Sequence, residues 1–198
     1  MKVLTVEQFL AVAGVRKATY AGFVNRGESV LAFGTQQKLA GGNFLDLDAV
    51  AWLILDELTP ALSRRHAAVF MRAFSDVWMG AVGRAERTPE PVFLVVGESG
   101  EKNHGHQRNT YEKISADFGT MPEWGEWDYR RVKVVPARIT MVNISSVLAV
   151  VRWRASAIGL KLASPMVPEH DEPAFAQACA DLKEARRAMA PEPRKGAQ

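Results

Sequence analysis

The chain has 198 residues, 47% hydrophobic and 24% charged, with 15 glycines and 10 prolines, which is the make-up of a globular protein and excludes a collagen, a low-complexity polymer and a wholly disordered chain. A single cysteine, Cys179, rules out an intrachain disulfide and a cysteine-rich metal cluster, so a reducing, cytoplasmic setting is the simplest expectation. The net charge of +3 is too small to name a partner, and its distribution matters more.

Residues 1–10 carry Glu7 and Gln8 where a secretory segment needs an unbroken apolar run, and no signal peptide is expected. The longest apolar stretches, Ala49 to Leu55 and Val147 to Val151, fall far short of the roughly 18 residues that a bilayer-spanning helix needs.

Thr5-Val6-Glu7-Gln8 matches a capping box and starts a helix whose apolar stripe is Val6, Phe9, Leu10 and Ala13. Gly14 suits a left-handed terminus. A second short helix begins near Val15 or Arg16 and runs to about Asn25, with Tyr20, Phe23 and Val24 as core contacts, and Arg26-Gly27 closes it. Ser29 to Phe33 and Asn43 to Leu45 flank a glycine-rich polar loop and read as a hairpin with a projecting tip near residues 34–42.

Asp46 is the expected cap of a third helix carrying Val50, Leu53, Ile54 and Leu58, and Thr59-Pro60 is expected to open a longer helix to about Val82. The two prolines of residues 86–91 mark a boundary. Beyond it, Val92 to Val96 reads as a strand, 97–109 as a loop, Tyr111 to Phe118 as one or two helical turns, and Val132 to Val135 and Arg138 to Val142 as strand. Ile144 to Ile158 keeps a helical period, with Asn143 or Ser145 as its cap. A last helix from Pro173 to Met189 holds Cys179, and residues 191–198 read as a disordered tail. The fold class is therefore α+β: a first domain over 1–58, a connecting helix over 59–85, a small α+β domain over 91–165, and a terminal helix and tail over 166–198.

Two stretches are basic. Arg16 to Lys38 holds four basic residues and one acid, and Arg130 to Lys161 holds seven basic residues and no acid, a balance that suits a polyanion. Trp124, Trp127 and Tyr129 precede Arg130 and Arg131, and a hydrophobic cover over the sheet is their expected role.

The enzyme motifs are near misses. Gly97-Glu98-Ser99-Gly100-Glu101-Lys102 lacks the order of a phosphate-binding loop, and Glu101 stands where a nucleophile elbow needs glycine. Glu98, Glu101, His104 and His106 are metal-ligand types, but a solvated loop is the expectation there. No catalytic residue, metal or cofactor is expected.

The run from Leu4 to Tyr20, a helix with alanines, then Gly14-Val15, then a helix with Arg16 and Lys17 at its start, resembles the amino-terminal region of the MerR-like winged helix-turn-helix superfamily and related phage regulators and excisionases. The resemblance covers about 55 residues, and Phe23-Val24 stands where an arginine-tyrosine pair is usual. It implies a bacterial or phage transcription regulator binding double-stranded DNA, with a recognition helix over 16–25 in the major groove and a wing over 34–42 on the backbone or minor groove. Arg16, Lys17, Thr19, Tyr20, Arg26, Gln36, Gln37 and Lys38 are the DNA-contacting positions it implies. Because one such module touches few base pairs, a homodimer is expected, with the helix after Pro60 or the one from Ile144 as its interface. The second domain is then left for self-association or for sensing a small-molecule or protein effector. The alternative is a phage- or plasmid-type adaptor for recombination, packaging or partition.

Overall fold

A computed structural model describes residues 2–31, 44–99, 113–120 and 138–167. The expected hairpin tip with Gln36, Gln37 and Lys38, the His104 and His106 loop, the Trp124 to Lys133 stretch, the strand at 132–135 and the terminal helix with Cys179 lie outside the described residues. The described elements are β1 (Val3–Leu4), α1 (Val6–Ala13), α2 (Lys17–Asn25), β2 (Phe44–Leu45), α3 (Asp46–Ala73), α4 (Ser75–Arg87), β3 (Val92–Ser99), β4 (Lys113–Thr120), β5 (Arg138–Asn143) and α5 (Ile144–Ala157). They form a mixed α+β fold with two antiparallel sheets.

Local chemistry accounts for the first turn of the fold. Thr5 Oγ1 accepts from the Gln8 amide at 3.2 Å, and Gln8 Oε1 accepts from the Thr5 amide at 2.9 Å, so two otherwise orphaned donors are satisfied. Gly14 ends α1 at φ 69° and ψ 33°, and the Val15 amide closes back on the Leu10 carbonyl at 3.0 Å.

Among the described residues, the extended segment at 44–45 pairs with β1, in register Val3↔Leu45 and Leu4↔Phe44, and residues 29–31 form no strand, while residues 32, 33 and 43 of the expected hairpin lie outside the described residues. This pairing sends Leu4 and Phe44 together into the core.

The helix boundary expected at Thr59-Pro60 is also displaced. Helical backbone runs through Pro60, and the break comes at Ser63, whose φ of 58° and ψ of 152° lie in a region that favours glycine. A second break at Phe74 separates α3 from α4. At the start of α3, Leu45 rather than Asp46 is the cap residue, and Asp48 Oδ2 accepts from the Leu45 amide at 2.7 Å.

In the second half, residues 113–118 of the helical turns expected at 111–118 are instead part of strand β4. The three-stranded sheet has the order β4-β3-β5, with Leu94 opposite both Phe118 and Val142. Strand geometry puts Phe118 against α4, where a Cβ at Gly80 would come within 2.9 Å of its ring, so sheet packing outweighs any local helical tendency. Asn143 caps α5 by accepting from the Ser146 amide at 3.0 Å, which leaves Ser145 Oγ to accept from the Val92 amide at 3.0 Å.

One continuous apolar core runs from Leu4 to Val167 and takes residues from both sides of the 88–91 connection. Residues 161–167 are fastened across it. Lys2 Nζ donates to the Lys161 carbonyl at 2.6 Å, the Ala163 amide donates to Asp46 Oδ2 at 3.0 Å, and the Met166 and Val167 amides donate to Glu86 Oε2 at 2.8 and 3.2 Å. Arg152 completes the site by pairing with Glu86 Oε1 at 2.7 Å.

Glu86→Ala strands the amides of Met166 and Val167 and is expected to lower unfolding free energy by about 2 to 4 kcal/mol in a urea titration. Ser63→Gly relieves a strained backbone and is expected to raise it by about 1 kcal/mol in the same titration.

Candidate nucleic-acid interface

Helix α2 presents its first turn to solvent: Arg16, Lys17, Ala18 and Thr19 are all exposed. That turn contains no acidic residue and no side-chain cap. Cations at the positive end of a helix dipole oppose it, each by roughly 0.3–1 kcal/mol, so this choice of residues works against the helix's own stability. It also leaves the amides of a helix N-terminus beside two cations, a combination that receives anions.

Tyr20 behaves otherwise. It is 1% exposed, and its ring centroid lies 5.1 Å from Phe9, 5.1 Å from Trp52 and 5.8 Å from Phe44. The DNA contact that the resemblance implied for Tyr20 is therefore corrected: its side chain packs among rings of α1, β2 and α3 in the core, which is the packing role also expected of it. Arg26 sits just past α2, paired with Glu28 at 2.7 Å and with its Cζ 4.8 Å from the Phe23 ring centre.

Both ends of the helical pair are held by arginines from distant sequence. At the α1–α2 turn, Arg154 Nη1 donates to the Ala13 carbonyl at 2.9 Å and lies so close to Gly14 that a Cβ there would collide with its guanidinium. A cation on the carbonyl end of α1 complements its dipole. After α2, Arg72 Nη2 donates to the carbonyls of Gly27 at 2.5 Å and Ser29 at 3.0 Å. Arg154 also borders a groove of about 350 Å³ shared by α1, α3 and α5, with Leu53, Glu57, Asn143 and Val150 on its walls.

The middle of α2 rests on Phe23, Trp52 and Arg64. Arg64 Cζ stands 3.8 Å from the Phe23 ring centre and 4.2 Å from that of Trp52. Sequence reading identified none of Trp52, Arg64, Arg72 and Arg154 as supports of α2. Trp52 lies in an apolar run, and Arg64, Arg72 and Arg154 stand 41, 43 and 141 residues from Phe23, Ser29 and Ala13, so no spacing pattern carries the signal. Of the basic stretch 130–161, Arg152 and Arg154 are engaged within the fold, while Arg130, Arg131 and Lys133 lie outside the described residues.

Among the described residues, no three His, Cys, Asp or Glu side chains come together to hold a metal, and no helix is long and apolar enough to cross a membrane.

Burial, with the Asp48 carboxylate nearby, pushes the Tyr20 phenol above its usual value of about 10. In the unfolded chain it ionises near that usual value, so the stability that the buried neutral phenol contributes is complete below about pH 10 and is lost as pH rises beyond it. Tyr20→Phe is therefore expected to flatten the fall of stability above about pH 10, read by chemical denaturation at stepped pH. Comparison with known proteins returns no matching family model, no matching curated protein and no matching solved structure.

Proposed function

We propose that this protein is a DNA-binding transcription regulator of winged helix-turn-helix type, with α2 as the helix that enters the major groove of double-stranded DNA and residues 34–42 as the wing. The observation that carries this reading is the exposed, uncapped start of α2, with Arg16, Lys17 and Thr19 outward while Tyr20 locks the helix inward. Arginine and lysine neutralise phosphates, and an arginine fork or a threonine hydroxyl also reads base edges.

The short α1, the Gly14 turn and the anchored α2 together supply a braced second helix, as the reading requires. The acting unit in this reading is a homodimer formed through α5, whose outer surface carries Val150 and a 71% exposed Trp153. Two copies double the base pairs read.

The test begins with selection of duplexes from a random pool, followed by affinity for the selected site at two salt concentrations. Arg16→Ala and Lys17→Ala are each expected to weaken specific binding by about tenfold or more, with thermal stability equal to or slightly above that of the wild type. Each lost phosphate contact should also reduce the log–log salt slope by about 0.9. Retention of no duplex by the intact protein, or wild-type affinity in both variants, overturns the reading. Sedimentation of the protein alone and on its site reports the stoichiometry.

A further inference from the structure

Arg64 is an unusual tenant of the core. Its side chain is only 10% exposed, and its Nη1 pairs with Asp56, yet its Nε and Nη2 are buried with no hydrogen-bond partner among the described residues, as is Nε1 of Trp52 beneath it. Hydrogen bonding therefore does not explain why a guanidinium occupies this place, because leaving such donors unmet costs free energy that an apolar side chain would not incur. What the site does provide is a corner of two tilted rings, Phe23 from α2 and Trp52 from α3, with centroids 5.9 Å apart and planes 57° from parallel, and Arg64 Cζ faces both. A delocalised guanidinium spreads its charge over both ring faces, whereas a lysine ammonium has no planar group to lay against either.

The backbone is arranged to make this contact. Ser63, immediately before Arg64, takes the positive φ that breaks α3, at the point where the next side chain is laid against α2. Strain of this kind persists only where the surroundings hold it.

We infer that Arg64 is a positioning residue that sets the rotation of α2 about its own axis. Phe23 follows Thr19 by four residues, so the two share one stripe of the helix. Fixing the Phe23 ring between Arg64 and the rest of the cluster fixes the direction in which Thr19 points and the orientation of the first turn that carries Lys17. The consequence for DNA rests on the proposed reading of α2; the mechanical role does not.

The experiment uses the full chain with Arg64→Lys, which keeps the charge but has no planar group, and Phe23→Leu, which removes the ring from the α2 side. Hydrogen exchange of the amides of residues 20–25 is expected to accelerate about tenfold or more in each, with α1 and α5 amides unchanged. Affinity for the selected duplex is expected to fall about tenfold while affinity for an unrelated duplex is retained, and the double variant should lose little beyond either single one. A purely structural role would lower both affinities together. Wild-type exchange in α2 with Arg64→Lys, or an unchanged ratio of specific to non-specific affinity, overturns the inference. If the wild-type protein selects no duplex, the DNA reading fails by itself, and exchange in α2 still decides the clamp. Should both variants fail to fold, NMR of the intact protein decides: slowed rotation about the Arg64 Cζ–Nε bond supports the clamp, and free rotation overturns it.

Discussion

Four rings hold the amino-terminal half together: Phe9 of α1, Tyr20 of α2, Phe44 of β2 and Trp52 of α3. Phe9 and Phe44 stack at 4.0 Å with an interplanar angle of 8°, while Tyr20 meets Phe9 and Phe44 edge-on. Each such pair adds roughly 0.5–1.5 kcal/mol beyond the area it buries, so the cluster fixes how four elements meet as well as that they meet. Without it α1, α2, β1 and β2 are too short to persist, since isolated helices under about 12 residues are marginal in water. The exposed edge of α2 has a defined direction because its opposite edge is set in this cluster.

Around that cluster, the arginines divide by location. Arg64 stacks inside, Arg72 and Arg154 bind backbone carbonyls at the ends of the helical pair, and Arg152 joins Glu86 under the closing segment. These four are spent on the fold. Arg16 and Lys17, by contrast, face solvent at a helix end where the dipole resists them. A formal charge of +3 conceals this sorting, which is why total charge was a poor guide to a partner.

The two halves of the chain are built into each other. Helix α5 packs on α1 and its Arg154 grips the α1–α2 turn, while residues 161–167 bind Lys2, Asp46 and Glu86 in succession. A boundary at residues 86–91 is a change of secondary structure from α4 to β3, and the apolar core passes across it without interruption. Any change felt at the groove beside Arg154 has a short physical route to α2.

What the sequence by itself determined was local. The Thr5 capping box, the left-handed Gly14, the span of α2, the strands at 92–96 and 138–142 and the period of α5 were legible because each depends on neighbours within about five residues, through hydrogen-bond geometry or side-chain period. Of the candidate site, the exposure of Arg16 and Lys17 followed from the resemblance of the α1–α2 run, and the structure places both at the exposed start of α2. Only the tertiary structure decided the partner of β2, the passage of helix through Pro60 with its break at Ser63, and the strand at 113–120. It alone also decided the inward turn of Tyr20 against its site assignment and the Arg64 and Arg154 anchors. Each of these is settled by burial against residues tens of positions away, where the free energy of packing exceeds local preference and leaves no trace in spacing.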